Sequence, residues 1–370
     1  MKKRILSIAI VAALALSMTA CGAASDETTA EGDVTTTVST AEKADEEKQE
    51  TKAEETAKEA EVTTIEETKA ETTVETEPEI EIVDVPAEDF ETQYDASLGG
   101  LIIERYTGGE LGVRVPAEID GDPVLKIGHE AFYTSAVKKL ELSEGITTIG
   151  ERGLKSFTLE EVIMPESLAK LDDYAFAECK ALTEITIPDT VTEFGKGMFD
   201  SCYALETATI QANITELPED TFDKCRVLTT VTLPDNLTSI GGEAFRDCTS
   251  LTTIELPDTI KTFSPNVFRN CTNLTGFTIP KNTTVISKSM FEGCEKLKTV
   301  TLYDNIKNIE EYAFQECSNL RELNLPDDIE NVSRFAFDGC TALTITYRGQ
   351  TYLASDAEKL SADIEANNAT

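Results

Sequence analysis

The chain has no tryptophan, a single histidine (His129), and only 32 basic residues against 69 acidic ones in a total of 370. Each shortage excludes something. Without a second histidine nearby, a Ser/His/Asp or Cys/His catalytic group has no obvious members, and His129 is expected to be a surface residue. A net charge of -37 leaves no cluster of Lys and Arg for phosphate contacts, so neither nucleic acid nor an anionic membrane surface is an expected partner. The apolar run from Ile5 to Leu16 is too short for a comfortable transmembrane helix. None of the nine cysteines falls in a C-x-x-C pair, which argues against zinc. Asp120-Gly121-Asp122-Pro123 reads as a turn, since it lacks the further ligands of a calcium loop. No cofactor or metal is expected, and no enzymatic activity.

What the chain does have is a repeat. A Phe followed three residues later by a Cys returns every 23 residues, at Phe176/Cys179, Phe199/Cys202, Phe222/Cys225, Phe245/Cys248, Phe268/Cys271, Phe291/Cys294, Phe314/Cys317 and Phe337/Cys340. A constant period without insertions is the signature of a stacked solenoid, in which a unit buries its apolar edge only against its neighbours. In the unit Leu228 to Ser250, Leu228, Val231 and Leu233 alternate with threonines as a strand, and Pro234-Asp235-Asn236 turns the chain. Leu237 to Gly241 is a second extended piece, and Glu243 to Cys248 is expected to be a helical or 3₁₀ turn. Acidic residues at the regular positions Asp189, Asp235, Asp258 and Asp327 are turn formers rather than a paired catalytic set.

Eight cysteines share one phase, so their side chains point the same way. Parallel side-chain vectors disfavour disulfides, and the set Cys179, Cys202, Cys225, Cys248, Cys271, Cys294, Cys317 and Cys340 reads as a ladder of free, buried thiols in the core. The first two positions of that phase hold Ser135 and Phe157, which fits packing better than obligatory pairing.

Around the repeat the chain changes character. Residues 1–21 combine Lys2, Lys3 and Arg4 with an apolar run and small residues, as an export signal does. Met18-Thr19-Ala20-Cys21 resembles a bacterial lipoprotein lipobox with Met where Leu is usual, which implies acylation of Cys21; an ordinary signal peptide cut nearby is the other reading. Residues 22–89 hold 23 acidic and 5 basic residues and no aromatic, and such a segment is expected to be a disordered acidic linker. Residues 90–123 are expected to cap the solenoid as a hairpin of Leu101–Tyr106 and Leu111–Pro116 joined at Gly108-Gly109. The solenoid spans 124–347. A terminal strand pair within Leu343–Tyr352 and a short helix from about Asp356 to Ala366 close the other end, with 348–370 as C-terminal cap and tail.

The unit L-x-x-V-x-L-P-D-x-L-x-x-I-x-x-x-A-F-x-x-C, with aliphatic exchanges, resembles the BspA-like (Treponema pallidum type) leucine-rich repeat of bacterial surface proteins. The resemblance runs from Leu98 to Tyr347. It implies an α/β solenoid, a right-handed leucine-rich coil of short strands and helical or 3₁₀ turns in about ten repeats of 22–23 residues. Departures are local: Leu154 and Phe157 replace Phe and Cys, Gln211 and Tyr303 replace Pro, and Ser264-Pro265 interrupts the Ile-Gly step.

One feature of the repeat faces outward. Thr186, Thr209, Thr232, Thr278 and Thr301 form one column, and Thr207, Thr230, Thr253 and Thr299 the next, broken by Glu255, Gly276 and Glu322. Threonine favours strands, so a structural ladder is one reading. The other is a hydroxyl-rich face, roughly 45–50 Å long over ten rungs, that contacts a protein or glycan. Family resemblance implies an exported, lipid-anchored, monomeric cell-surface protein that touches the membrane only through its lipid. It further implies adhesin-like binding; the alternative is an envelope lipoprotein that binds the cell's own wall or another subunit.

Overall fold

The computed structural model describes residues 79–369. The export signal, Cys21 and the acidic segment up to residue 78 lie outside the described residues. Each 23-residue unit makes one coil of a β-solenoid of about eleven turns. Short parallel strands stack on two sides. On the first side they include Lys139–Leu142, Glu184–Ile187, Thr207–Ile210, Thr230–Thr232, Gly276–Thr278 and Thr299–Thr301. On the second they include Asp122–Ile127, Thr148–Ile149, Ser239–Ile240 and Asn308–Ile309. Strand register equals the repeat, as in Thr207↔Thr230 and Ala208↔Val231. Every second residue then points inward, as Leu140 and Leu142 or Ala208 and Ile210 do, and the inward set of all coils forms one core.

The third side carries the phenylalanines, and here the expectation of a helical turn is corrected. Among the described residues the only α-helix is α1 (Ala357–Asn368), with short 3₁₀ segments at Ala87–Asp89 and Ala354–Asp356. Alternate turn N–H groups are donated to the next coil, Asp220 N to Gly242 O, Phe222 N to Ala244 O and Lys224 N to Arg246 O, while Asp223 N and Cys225 N close back on Asp220 O and Phe222 O within the turn. Asp220 and Lys224 are themselves left-handed, at φ 57° and 62°, and this prevents a helix from propagating. The molecule is thus a β-solenoid rather than an α/β one. The turn count also exceeds the ten expected. Tyr106 donates its N–H to Ala131 O and stacks on Phe132 at 5.7 Å, so it fills the phenylalanine position of a coil that precedes the sequence repeat.

Both cap expectations change at the N-terminus. The segment assigned to the linker is already structured at Val83–Asp84, which pairs with Val113 and Arg114, and Val85 packs on the core. Apolar Val83 and Val85 in an otherwise acidic stretch account for this. Gly100–Tyr106 does not pair with Gly112–Val115. It pairs antiparallel with Phe90–Asp95, and the two strands expected to form a hairpin lie on different sides of one coil. Gly108-Gly109 is therefore a corner between sides. At the far end Thr344–Tyr347 and Gln350–Leu353 form an antiparallel pair followed by α1, which buries Ala357, Leu360 and Ile364.

The phenylalanine rings stack along the axis. Phe199, Phe222, Phe245 and Phe268 follow one another at 5.3 Å. Beside them all eight described cysteines are free and buried, and each S–H donates to a carbonyl of the preceding coil, as Cys248 Sγ does to Phe222 O at 3.2 Å. Burial pushes the thiols from Cys202 to Cys317 well above their ordinary range. Thiolate is the reactive form. With all eight side chains also buried, iodoacetamide is expected to leave Cys179 to Cys340 unmodified in the native protein and to label all eight in urea. Mass spectrometry reads the result, and native labelling would show that these thiols are reached by solvent.

Phe157 behaves differently from its expected place in the core. From Leu154 to Leu159 is five residues, against six from Phe176 to Leu182, so the shorter corner lacks the inward cysteine position. Ser156 is buried instead, and Phe157 swings out to 43% exposure, edge-on to Tyr133 with the Lys180 ammonium 4.2 Å from its ring.

An ionic cluster staples three of these corners. Asp223, whose side chain is 3% exposed, accepts from Arg246 Nε at 2.8 Å and Nη2 at 2.6 Å and from Lys224 Nζ at 2.6 Å. Desolvation pushes the nearby Asp220 carboxyl up to about 6, with Asp223, Glu243 and Glu219 adding repulsion and Arg246 opposing it. A folded pKa above the unfolded one means that the folded state binds this proton more tightly. The stability is then fully present below the unfolded value of 3.8 and is lost as pH rises through about 6. Because the group is half exposed, the swing is about 1 kcal/mol after solvent screening. Urea midpoints at pH 5 and pH 7.5 should differ in the wild type in this sense, and Asp220→Asn should shrink the difference. An unchanged difference would assign the effect to other groups.

Candidate binding face

The nine threonines singled out in the sequence all lie on the first side. Thr186, Thr230, Thr232, Thr253, Thr278, Thr299 and Thr301 are exposed, and Thr207 and Thr209 half-buried. Parallel register brings most of them together, Thr186 beside Thr209, Thr209 beside Thr232, Thr207 beside Thr230 and Thr278 beside Thr301. Their hydroxyls separate them from the other threonines of the repeat. Thr229, Thr238, Thr249 and Thr275 donate to carbonyls of the preceding coil, whereas none of the nine hydroxyls has a hydrogen-bond partner among the described residues. Strand direction is the cause: a side chain standing off the sheet face points away from the carbonyls, which lie in the plane of the sheet.

The face is not continuous. Strand pairing runs from Glu184–Ile187 to Thr230–Thr232 and resumes at Gly276–Thr278, so the intervening coil with Thr253 is unpaired on this side. Two oversized inward residues accompany the break. Phe277, where other coils place Ala208, Val231 or Val300, sets its ring edge-on to both Phe268 and Phe291, at 5.0 and 4.9 Å. Phe263 adds a further ring, 6.4 Å from Phe268, and strand pairing on the second side also stops between Phe263 and Val285. Apolar residues beneath the face at the break, Val231, Leu233, Ile254 and Leu256, are only half-buried, while Ile185, Ile187, Ala208 and Ile210 are buried.

The gap is a groove of about 840 Å³ lined by Thr253, Ile254, Glu255, Leu256, Gly276, Thr278, Lys298, Thr299 and Thr301, among others. Neither Glu255 nor Lys298 has an ion-pair partner among the described residues. The threonine columns are legible in the sequence, where Gly276 and Glu255 stand only as interruptions of them. A glycine in an outward column beside an inward phenylalanine was the signal for the groove.

The remaining candidates are dispersed. His129 is exposed in the first coils. The eight cysteines lie in the core, away from the face, and Cys21 lies outside the described residues. Among the described residues no group of three or more His, Cys, Asp or Glu is arranged to hold a metal ion, and no helix is long and apolar enough to cross a membrane.

The sequence matches the family model for the BspA type leucine-rich repeat region in six copies, over residues 118–229 and 215–344. No curated protein matches the chain. Among solved structures the chain is similar to a leucine-rich cell surface protein from Faecalibacterium prausnitzii, at 24% identity over 71% of this chain and 94% of that one, TM-score 0.41. It is also similar to a leucine-rich repeat protein of T. pallidum, at 22% identity over 64% and 91%, TM-score 0.32. The pneumococcal vaccine antigen PcpA matches at 18% identity over 69% and 79%, TM-score 0.49.

Proposed function

The chain belongs to the BspA-type leucine-rich repeat family, and we propose that it is a non-enzymatic, adhesin-like binding protein of the bacterial surface. In this reading Cys21 carries the lipid anchor, the acidic segment is the spacer, and the first side of the solenoid meets a protein or glycan. The observation that carries it is the set of nine strand-face threonine hydroxyls, eight of them on paired strands in register, and none with a hydrogen-bond partner among the described residues. Hydroxyls donate and accept, so such a face matches the mixed polar rim of a macromolecular contact without needing charge. Its length suits a macromolecule better than a metabolite.

Two measurements test the reading. Cells carrying Thr186→Glu with Thr209→Glu should lose attachment to protein- or glycan-coated surfaces about tenfold, because two carboxylates would be desolvated at the contact. Unchanged attachment together with a weakened envelope would favour a role in the cell's own wall instead. Radioactive palmitate should label the wild type and not Cys21→Ala; equal labelling would refute the anchor.

A further inference from the structure

The groove at the break in the threonine face has features that the rest of the face lacks. At Gly276 the outward column loses its side chain between Thr253 and Thr299, so the surface has a notch one residue wide. Its floor is apolar, through half-buried Ile254 and Leu256, and its walls carry the unpaired hydroxyls of Thr278 and Thr301. Glu255 stands at the rim as an acceptor and Lys298 as a donor.

A ligand for this groove needs hydroxyl edges and an apolar face in the same unit, which is the chemistry of a pyranose ring. C–H groups of the ring face would cover Ile254 and Leu256, while the equatorial hydroxyls meet the threonines and Glu255. A cavity of about 840 Å³ holds a short run of such rings. Charge narrows the class further. Within the groove Glu255 is balanced by Lys298 and Asp258 is paired with Lys281, so the lining carries no net charge to hold an ionic ligand, whereas an uncharged sugar needs none.

We propose that the notch at Gly276 is a subsite for a neutral oligosaccharide, a deepening that rests on the reading of this side as the contact face. Gly276 is the position to test, because a Cβ there comes close only to Thr299 Oγ1 at 3.0 Å, the end of a small side chain that can turn away, and otherwise lies in ordinary contact with Thr299 O at 3.8 Å. Its φ is not in the left-handed region, and neighbouring coils carry Thr at the same place, so Gly276→Thr completes the column without disturbing the fold.

Isothermal titration calorimetry on the full-length protein with cellohexaose, maltohexaose and chitohexaose, and with hexaglutamate as an anionic peptide, tests this directly. At least one neutral hexasaccharide should bind, and Gly276→Thr should weaken it tenfold or more while the thermal midpoint stays put. Binding of none of the three sugars, binding unchanged by Gly276→Thr, or tighter binding of hexaglutamate would each overturn the proposal. Thr186→Glu with Thr209→Glu lies outside the groove and should leave the sugar affinity unchanged. If that variant abolishes attachment while no sugar binds, the subsite fails and the face stands; if sugar binds and attachment persists, the face fails and the subsite stands.

Discussion

Phe245→Ala is expected to destabilise the solenoid by about 3–5 kcal/mol, the range for truncating a buried aromatic. Phe245 is fully buried, with the rings of Phe222 and Phe268 each 5.3 Å away at interplanar angles of 19° and 9°. Removing it leaves a void that two coils line and breaks two ring contacts, each contributing about 0.5–1.5 kcal/mol beyond area burial. The consequence extends past the single site. Coils touch only their neighbours, so a defect in mid-array weakens the coupling between the two halves. Urea unfolding should therefore move to lower concentration and broaden or split into two transitions. Phe337→Ala, at the end of the stack with one ring neighbour at 5.8 Å, should cost less and keep one transition. A loss below about 1 kcal/mol for Phe245→Ala, well under that range, would mean that the stack is not the main support of the array.

Asp223→Ala should be the next most damaging change, at about 2–4 kcal/mol. Breaking a buried pair by removing one partner costs about 3–5 kcal/mol, because the other charge stays behind uncompensated. Arg246 remains a quarter exposed here, which lowers the expected figure. The carboxylate joins Arg246 of the following coil to Lys224 of its own, while the Asp223 carbonyl accepts Ser201 N–H of the coil before at 2.8 Å. Replacing both partners, Asp223→Leu with Arg246→Met, should recover much of the loss, since no buried charge is then left alone. The same substitution removes the carboxylate that repels Asp220, so the fall in stability between pH 5 and 7.5 should shrink. By contrast Lys281→Ala, which breaks a solvent-exposed pair with Asp258, should leave stability nearly unchanged. Equal effects at Asp223 and Lys281 would show that burial is not what distinguishes the two pairs. Both substitutions are read from urea unfolding.

The period of 23 residues, the inward residues and the outward threonine columns were all legible in the sequence, because they depend on local alternation and on stacking identical units. Leu228, Phe245 and Cys248 recur at a fixed phase, and a residue that recurs at one phase in a stacked array must face the same way in every coil. Local pattern was a poorer guide where two coils compete for one hydrogen bond. Glu243 to Cys248 looks helical by itself, yet the N–H groups of Glu243, Phe245 and Asp247 bond to the next coil and only those of Arg246 and Cys248 close within the turn, a competition that only the stacked structure sets. Tyr106 hid an eleventh turn because the flanking spacing differs from the repeat although the ring stacks as the others do.

The sequence by itself thus determined a solenoid with a buried Phe and Cys spine and a hydroxyl-rich side. Tertiary structure alone decided where that side opens. Phe263 and Phe277 are unremarkable apolar residues in their own coils, and their excess volume matters only when both meet Phe268 in the same stretch of core. A close-packed interior transmits such a misfit to the surface instead of absorbing it. The groove beside Gly276 is therefore a property of neighbouring coils taken together, which no single repeat contains.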